Sequence, residues 1–248
     1  MRSLIAILTF ICTFGAIQLS AQESSFYIGA RAGGSASSFR FTEDLKELYP
    51  TSNQIWGING GFDMGIKLSN WTISTGVHYT QKGGEYQTDN FEDNGTTAYF
   101  TGREKLHFVT VPVLVGYRQH LADKVGWTIS LGPSFNFGLA GNIDETTEYF
   151  NSDQVDFQNY KVSFGSSVND DYKSPQVGFQ ISPGLFVELN EKSKVHFNVT
   201  WDFGTGDMFS DRYKAANDFF DSYKGNQIHR NTMFSVGYEY HFNFEDKY

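Results

Sequence analysis

Apolar and polar residues alternate with a period of two along most of this chain, which is the signature of strands with two unlike faces. The clearest stretch sets Trp56, Ile58, Gly60, Phe62, Met64, Ile66 and Leu68 against Gly57, Asn59, Gly61, Asp63, Gly65 and Lys67. A second sets Trp71, Ile73, Thr75, Val77 and Tyr79 against Thr72, Ser74, Gly76, His78 and Thr80. Similar runs fall near residues 26–34, 109–117, 127–139, 177–189, 195–203 and 234–244, which predicts about eight strands. Connections alternate in length. Ser69-Asn70 and the segments near 120–124 and 190–193 are short, whereas 42–53, 83–103, 141–174 and 205–230 are long and polar. Strict alternation puts every long connection at one end of an antiparallel up-and-down barrel, with both termini at the other. The 141–174 connection is long enough for a hairpin of its own, expected around 157–168.

Two physical arguments orient the faces. The lumen of an eight-stranded barrel is only wide enough for side chains to fill it. The Trp, Phe, Tyr, Leu and Val set is too bulky for that space, while the Gly, Ser, Thr and Asn set fits. Charge agrees. Arg31, Asp63, Lys67, Lys82, Arg118, Glu188, Asp202 and Glu239 all share the small polar face, and the apolar face carries no charge. An arginine or lysine facing lipid at mid-membrane costs about 2–4 kcal/mol. The barrel therefore reads as inside-out, with lipid outside and a polar network inside. His78, His196 and His241 share the inner face, whereas His107, His120 and His229 fall at strand ends or loops. Closing the ring with Phe26 opposite Phe244 predicts an Arg31–Glu239 pair. Trp71, Tyr117, Trp127, Tyr240 and Phe244, near strand ends, are expected at the membrane interface.

The remaining features narrow the chemistry. Residues 1–22 read as a signal peptide, with Arg2, an apolar run and cleavage after Ala21 or Gln22, leaving 23–248 as one barrel domain. The single cysteine, Cys12, lies in that apolar run, so the mature chain is expected to lack thiol chemistry. A net charge of −9 argues against a nucleic-acid partner. No histidine pair has zinc-protease spacing, and nothing calls for a cofactor. Ser74, His78, Thr80 and Asp63 share neighbouring inner positions, a constellation open to catalysis, although any polar lumen offers a similar set. The loop with Asp207, Asp211, Asp218 and Asp221 among Phe209, Tyr213, Phe219, Phe220 and Tyr223 offers binding chemistry, or a rim that packs on its neighbours.

Three segments carry a resemblance. Tyr27-Ile28-Gly29, the run from Trp71 through Gly76 to Tyr79-Thr80-Gln81-Lys82-Gly83, and Val109-Thr110-Val111-Pro112-Val113-Leu114-Val115-Gly116-Tyr117 resemble the PorT-like outer-membrane β-barrel proteins of Bacteroidetes. Gly132-Pro133-Ser134 and the Ser-Ala-Gln leader ending fit the same group. The resemblance implies a non-enzymatic outer-membrane barrel, with an accessory role in protein secretion and gliding as one member's precedent. A lipid-modifying enzyme and a narrow solute channel are the other classes. Expected partners are outer-membrane lipid, the barrel assembly machinery during biogenesis, and an envelope protein met through the long loops. The tail departs from a common barrel ending, leaving Phe242 and Phe244, or Tyr248, as the assembly signal.

Overall fold

Eight strands close a ring in the computed structural model, which describes residues 24–88, 91–93, 96–150 and 154–243, with 91–93, 96 and 243 described by backbone alone. The ring strands are β1 (Ser24–Phe41), β3 (Ile55–Leu68), β4 (Trp71–Gln87), β6 (Thr96–Ala122), β7 (Val125–Tyr149), β11 (Gln176–Asn190), β12 (Ser193–Gly204) and β13 (Gln227–Asn243). Each pairs antiparallel with both neighbours, in the order β4-β3-β1-β13-β12-β11-β7-β6, and β6 returns to β4. Closure leaves no open edge among these strands, the condition for a sheet to cross lipid. The expected signal peptide, Phe244 and Tyr248 lie outside the described residues.

The two faces are distributed inside-out. Trp56, Phe62, Ile73, Val77, Leu131, Leu185 and Val236 stand exposed on the outer wall, with Trp56 and Phe62 both at 71%. Thr72, Thr80, Lys82, Thr110, Ser134, Asn136, Asp202 and Glu239 are buried within. Burying polar side chains while exposing large apolar ones is unfavourable in water and favourable in hydrocarbon, where the outer face meets lipid tails. The β4 belt from Trp71 to Tyr79 has about the length a tilted membrane strand needs.

The seam between β1 and β13 differs from expectation by two residues. Phe26 pairs with Phe242, and Arg31 sits opposite Gly237 while Glu239 sits opposite Gly29. The Arg31–Glu239 pair is therefore not formed, although both side chains stay on the inner face. Gly33 helps set this register. A Cβ there would lie 1.8 Å from the Phe234 carbonyl oxygen, so the strands approach too closely for any other residue.

The long connections are the larger correction. Much of what reads as loop is strand that continues past the lipid belt with its polarity inverted. Along β6, Leu106 and Phe108 turn inward, fully buried, while Arg103 and Lys105 face out. Along β1, Phe39 and Phe41 are buried and Arg40 is exposed. The inversion marks the change of solvent, since above the belt the outer face meets water. β7 extends likewise, after a register shift near His107 and Phe108, and pairs with β8 (Val155–Val162). The hairpin expected in this connection thus exists, but its first arm is the extension of β7 and its second starts at Val155.

Short pieces complete a head at the end bearing the long connections: β2 (Thr51–Asn53), β5 (Phe91–Asp93), β9 (Phe164–Gly165), β10 (Tyr172–Lys173), α1 (Asp44–Leu48), α2 (Asp211–Ala216) and α3 (Phe219–Ser222). They close over a hydrophobic core of Phe39, Phe41, Leu45, Tyr86, Leu106, Phe108, Ile143, Val162, Tyr172 and Met208. Ser210 caps α2 by accepting a hydrogen bond from the Tyr213 amide at 3.0 Å. Ser210→Ala is expected to cost about 1 kcal/mol locally, seen as faster protease clipping of residues 205–226 with the barrel's heat-modifiable gel shift unchanged.

Candidate functional site

The lumen is stacked in polar layers from the end bearing the short turns toward the head. At the mouth, Glu188 meets Lys194 at 2.5 Å and His120 at 3.0 Å. Lys67 lines the same opening, a cavity of about 300 Å³. Above it, the Arg118 guanidinium donates two hydrogen bonds to Glu239, at 2.6 and 2.8 Å, and lies over the Tyr27 ring. His241 adds a 3.3 Å contact to the same carboxylate. Paired parallel bonds of this kind are the strong form of the Arg–carboxylate contact.

The third layer holds Arg31, Asp63 and His78. Arg31 donates to Asp63 at 2.7 Å and contacts the His78 ring at 3.0 Å, while His78 meets Asp63 at 2.9 Å. His196 lies beside them, 2.7 Å from Asn198. The fourth layer is fully buried. Lys82 donates to Asp202 at 2.5 Å and to Asn136 at 2.8 Å, and Ser134 donates to Asp202 at 2.8 Å. His229 stands 3.3 Å from the Lys82 ammonium.

All eleven residues expected in the lumen thus project from the inner face, in four tiers counted from the mouth. Further partners were not anticipated, among them Ser134, Asn136, Lys194, His120 and His229. Ser134 and Asn136 share the inner parity of their strand, a signal diluted by many neutral inner residues. His229 was read as a loop residue because β13 starts earlier than the apolar run suggests. Of the interface aromatics, Trp71 and Tyr117 pack edge-on at 5.3 Å, and Tyr117 reaches Trp127 at 5.8 Å across three adjacent strands. Tyr240 packs on Phe242 at 4.9 Å.

Space between the layers is small. A void of about 40 Å³ separates the second and third tiers, and one of about 10 Å³ lies beside Arg31 and His78. The smaller is at the threshold for a single water molecule. The constellation weighed for catalysis is sealed in the third tier, away from the outer rim. His78 and Asp63 do meet, but Arg31 bridges them, and Thr80 Oγ has no hydrogen-bond partner. Among the described residues no group of three His, Cys, Asp or Glu side chains is arranged to hold a metal.

The head contains an open cavity of about 240 Å³. Tyr49 and Tyr86 line one side, and Phe209, Tyr213, Phe219 and Phe220 from the last connection line another. The aromatic and acidic loop read from the sequence therefore packs on its neighbours and also walls a cavity. Of its acids, Asp207 is tied to Lys214 at 2.5 Å and accepts the Gln227 amide at 2.9 Å. Glu104 sits at the cavity base, 1% exposed. Tyr172 donates to it at 2.7 Å, and the Gln227 side-chain amide lies 3.2 Å from both its oxygens. Burial pushes the Glu104 carboxyl up to about 7, against the opposing effect of these donors. Burial likewise raises the hydroxyls of Tyr86 and Tyr172 well above their usual value.

No protein of curated function matches the chain in sequence. Among solved structures, Neisserial surface protein A (NspA) is 12% identical with a TM-score of 0.41, covering 88% of this chain and 99% of its own. The outer membrane protein OprG from Pseudomonas aeruginosa is 11% identical with a TM-score of 0.40, covering 89% and 97%. The outer membrane protease OmpT from Escherichia coli is 10% identical with a TM-score of 0.31, covering 92% and 99%. At these scores the likeness says nothing of activity. The family model for the outer membrane protein beta-barrel domain matches residues 20–210. This chain is a member of that family, an outer-membrane β-barrel protein.

Proposed function

We propose that this protein is a non-enzymatic surface protein, in which a sealed barrel serves as the anchor and the folded head is the part that binds or assembles. The sealed lumen carries this reading. Lys82, Asp202, Arg118 and Glu239 reach across the bore, and the voids between them are about 10 and 40 Å³, too small for solute passage. A hydrophobic head core at the other end of such an anchor supports a folded recognition surface on the cell exterior. Purified protein in a planar bilayer is expected to show no steady conductance, and stable open-channel steps would overturn the reading. On intact cells, a photo-cross-linker at Phe219 in the head is expected to give adducts, and one at Asn70 in the opposite turn none. Adducts from Asn70 alone would reverse the assignment.

The segments resembling PorT-like barrels, above all Val109 to Tyr117, favour a second reading, an accessory part of a protein secretion and gliding system. A deletion strain would then lose specific secreted cargo, restored by the gene in trans. An unchanged secretome rejects it and leaves the binding role.

A further inference from the structure

The head cavity has a composition that selects for a class of ligand. Its lining includes three carboxylates, Glu104, Glu145 and Asp171, and no lysine, arginine or histidine. Its other walls are mostly aromatic. The volume of about 240 Å³ exceeds the roughly 150 Å³ that accommodates benzene in an engineered apolar cavity. Ring faces attract cations through their quadrupole, more strongly where water is excluded. The chain displays this chemistry in the same cluster, since the Lys214 ammonium lies 5.3 Å from the centre of the Phe220 ring. That lysine is already neutralised by Asp207 at 2.5 Å and donates to the Gly225 carbonyl, so it does not cancel the three carboxylates of the cavity.

The carboxylates are also fixed in place. Tyr160 donates to Glu145, Ser163 holds Asp171 through its amide at 2.8 Å and its hydroxyl at 2.9 Å, and Tyr172 holds Glu104. Donation from neutral hydroxyls and amides orients Glu145 and Asp171 without discharging them, while Glu104, raised to about 7 by its burial, ionises near neutrality. The site thus resembles a box with apolar walls and negative corners. An anion would meet repulsion there. A neutral apolar ligand would leave the acids without a counter-charge.

We propose that the head cavity binds an organic cation, an alkylammonium group whose charge is met by Glu145, Asp171 and Glu104 and whose carbon atoms pack on Tyr49, Tyr86 and Phe220. The inference rests on the reading of the head as the binding element. Such a cation is presented by a free quaternary ammonium such as choline and by the ammonium of a lysine side chain of a protein partner.

Isothermal titration of the full chain in detergent would use choline, its neutral isostere 3,3-dimethylbutan-1-ol, and a short lysine peptide with its ε-acetylated form. Saturable binding of choline, with the isostere at least about tenfold weaker, is expected for a free cation ligand. Binding of the lysine peptide that acetylation abolishes would assign the site to a protein partner. Glu145→Gln with Asp171→Asn is expected to weaken the cation about tenfold or more, with the heat-modifiable shift retained. Phe220→Leu, which keeps an apolar side chain but removes the ring, is expected to weaken it severalfold. Equal binding of the isostere, or no saturable binding by either cation, would overturn the inference. In that last case head-specific cross-linking from Phe219 would still stand, so the failure would belong to the cation site and not to the binding role.

Discussion

Lys82→Met is expected to lower the unfolding free energy of the barrel by about 3–5 kcal/mol, the cost of leaving a buried charge without its partner. Lys82 and Asp202 are both fully buried, and the ammonium spans the lumen from β4 to β12 at 2.5 Å. Methionine preserves most of the stem and gives up the ammonium, which lies 5.4 Å from the centre of the Phe108 ring. What is lost is the charge. Asp202 would retain the Ser134 hydroxyl at 2.8 Å and His229 at 3.9 Å, neither of which replaces a full ammonium. Asp202→Asn is expected to cost a comparable amount, because it leaves the lysine unpaired.

The double variant separates this account from a packing defect. Replacing a buried ion pair by neutral groups of similar volume is often nearly neutral, whereas removing one partner is strongly destabilising. Lys82→Met with Asp202→Asn should therefore be destabilised far less than the sum of the single losses, with a coupling of a few kcal/mol. Urea unfolding in micelles, followed by tryptophan fluorescence, measures it. Strictly additive losses would show that the two residues do not act as a pair. Neither variant is expected to conduct in a planar bilayer, since the Arg118–Glu239 pair still crosses the lumen and Arg31, Asp63 and His78 still fill the layer above it.

The barrel was legible because its two faces differ at nearly every strand position, as between Phe62 and Asp63. Which charges face inward followed from parity alone. Which charges meet did not. A slip of two residues at the closing seam leaves every side chain on its face, so parity cannot distinguish Arg31 opposite Glu239 from the observed Arg31 opposite Gly237. The resulting partners are Asp63 for Arg31 and Arg118 for Glu239, the second of them drawn from a strand across the bore. The head was illegible for a related reason. Arg40, Arg103, Lys105 and Arg230 face water above the belt, and their charge made the segments read as loops. The inward set that alternates with them, including Phe39, Phe41, Leu106 and Ile143, carries the core. Periodicity persisted through the membrane border while the meaning of each face reversed.

The same head should respond to pH through Glu104. Its carboxyl is displaced from an ordinary 4.5 to about 7, chiefly by burial, with the Glu145 charge on β7 adding to the rise. Tyr172 on β10, Gln227 on β13 and Tyr86 on β4 oppose it by hydrogen bonding. Below about pH 4.5 the acid is protonated whether the head is folded or open, and it contributes no pH dependence. Between 4.5 and 7 the folded head holds a proton that the open head has lost, so head stability falls as pH rises. Above 7 both forms are ionised and the loss levels off at about 3 kcal/mol. Glu104→Gln cannot ionise. Its head should gain on the wild type progressively between pH 5 and 7 and hold a constant advantage above that, read as protease susceptibility of residues 154–175 and 205–226 on the intact barrel. A flat difference across the range would mean that Glu104 is not held neutral by its burial. Occupation of the cavity by an organic cation favours the ionised carboxylate, so choline should bind more tightly at pH 8 than at pH 6 and release a proton on binding. In Glu104→Gln both effects should vanish while weaker binding through Glu145 and Asp171 remains.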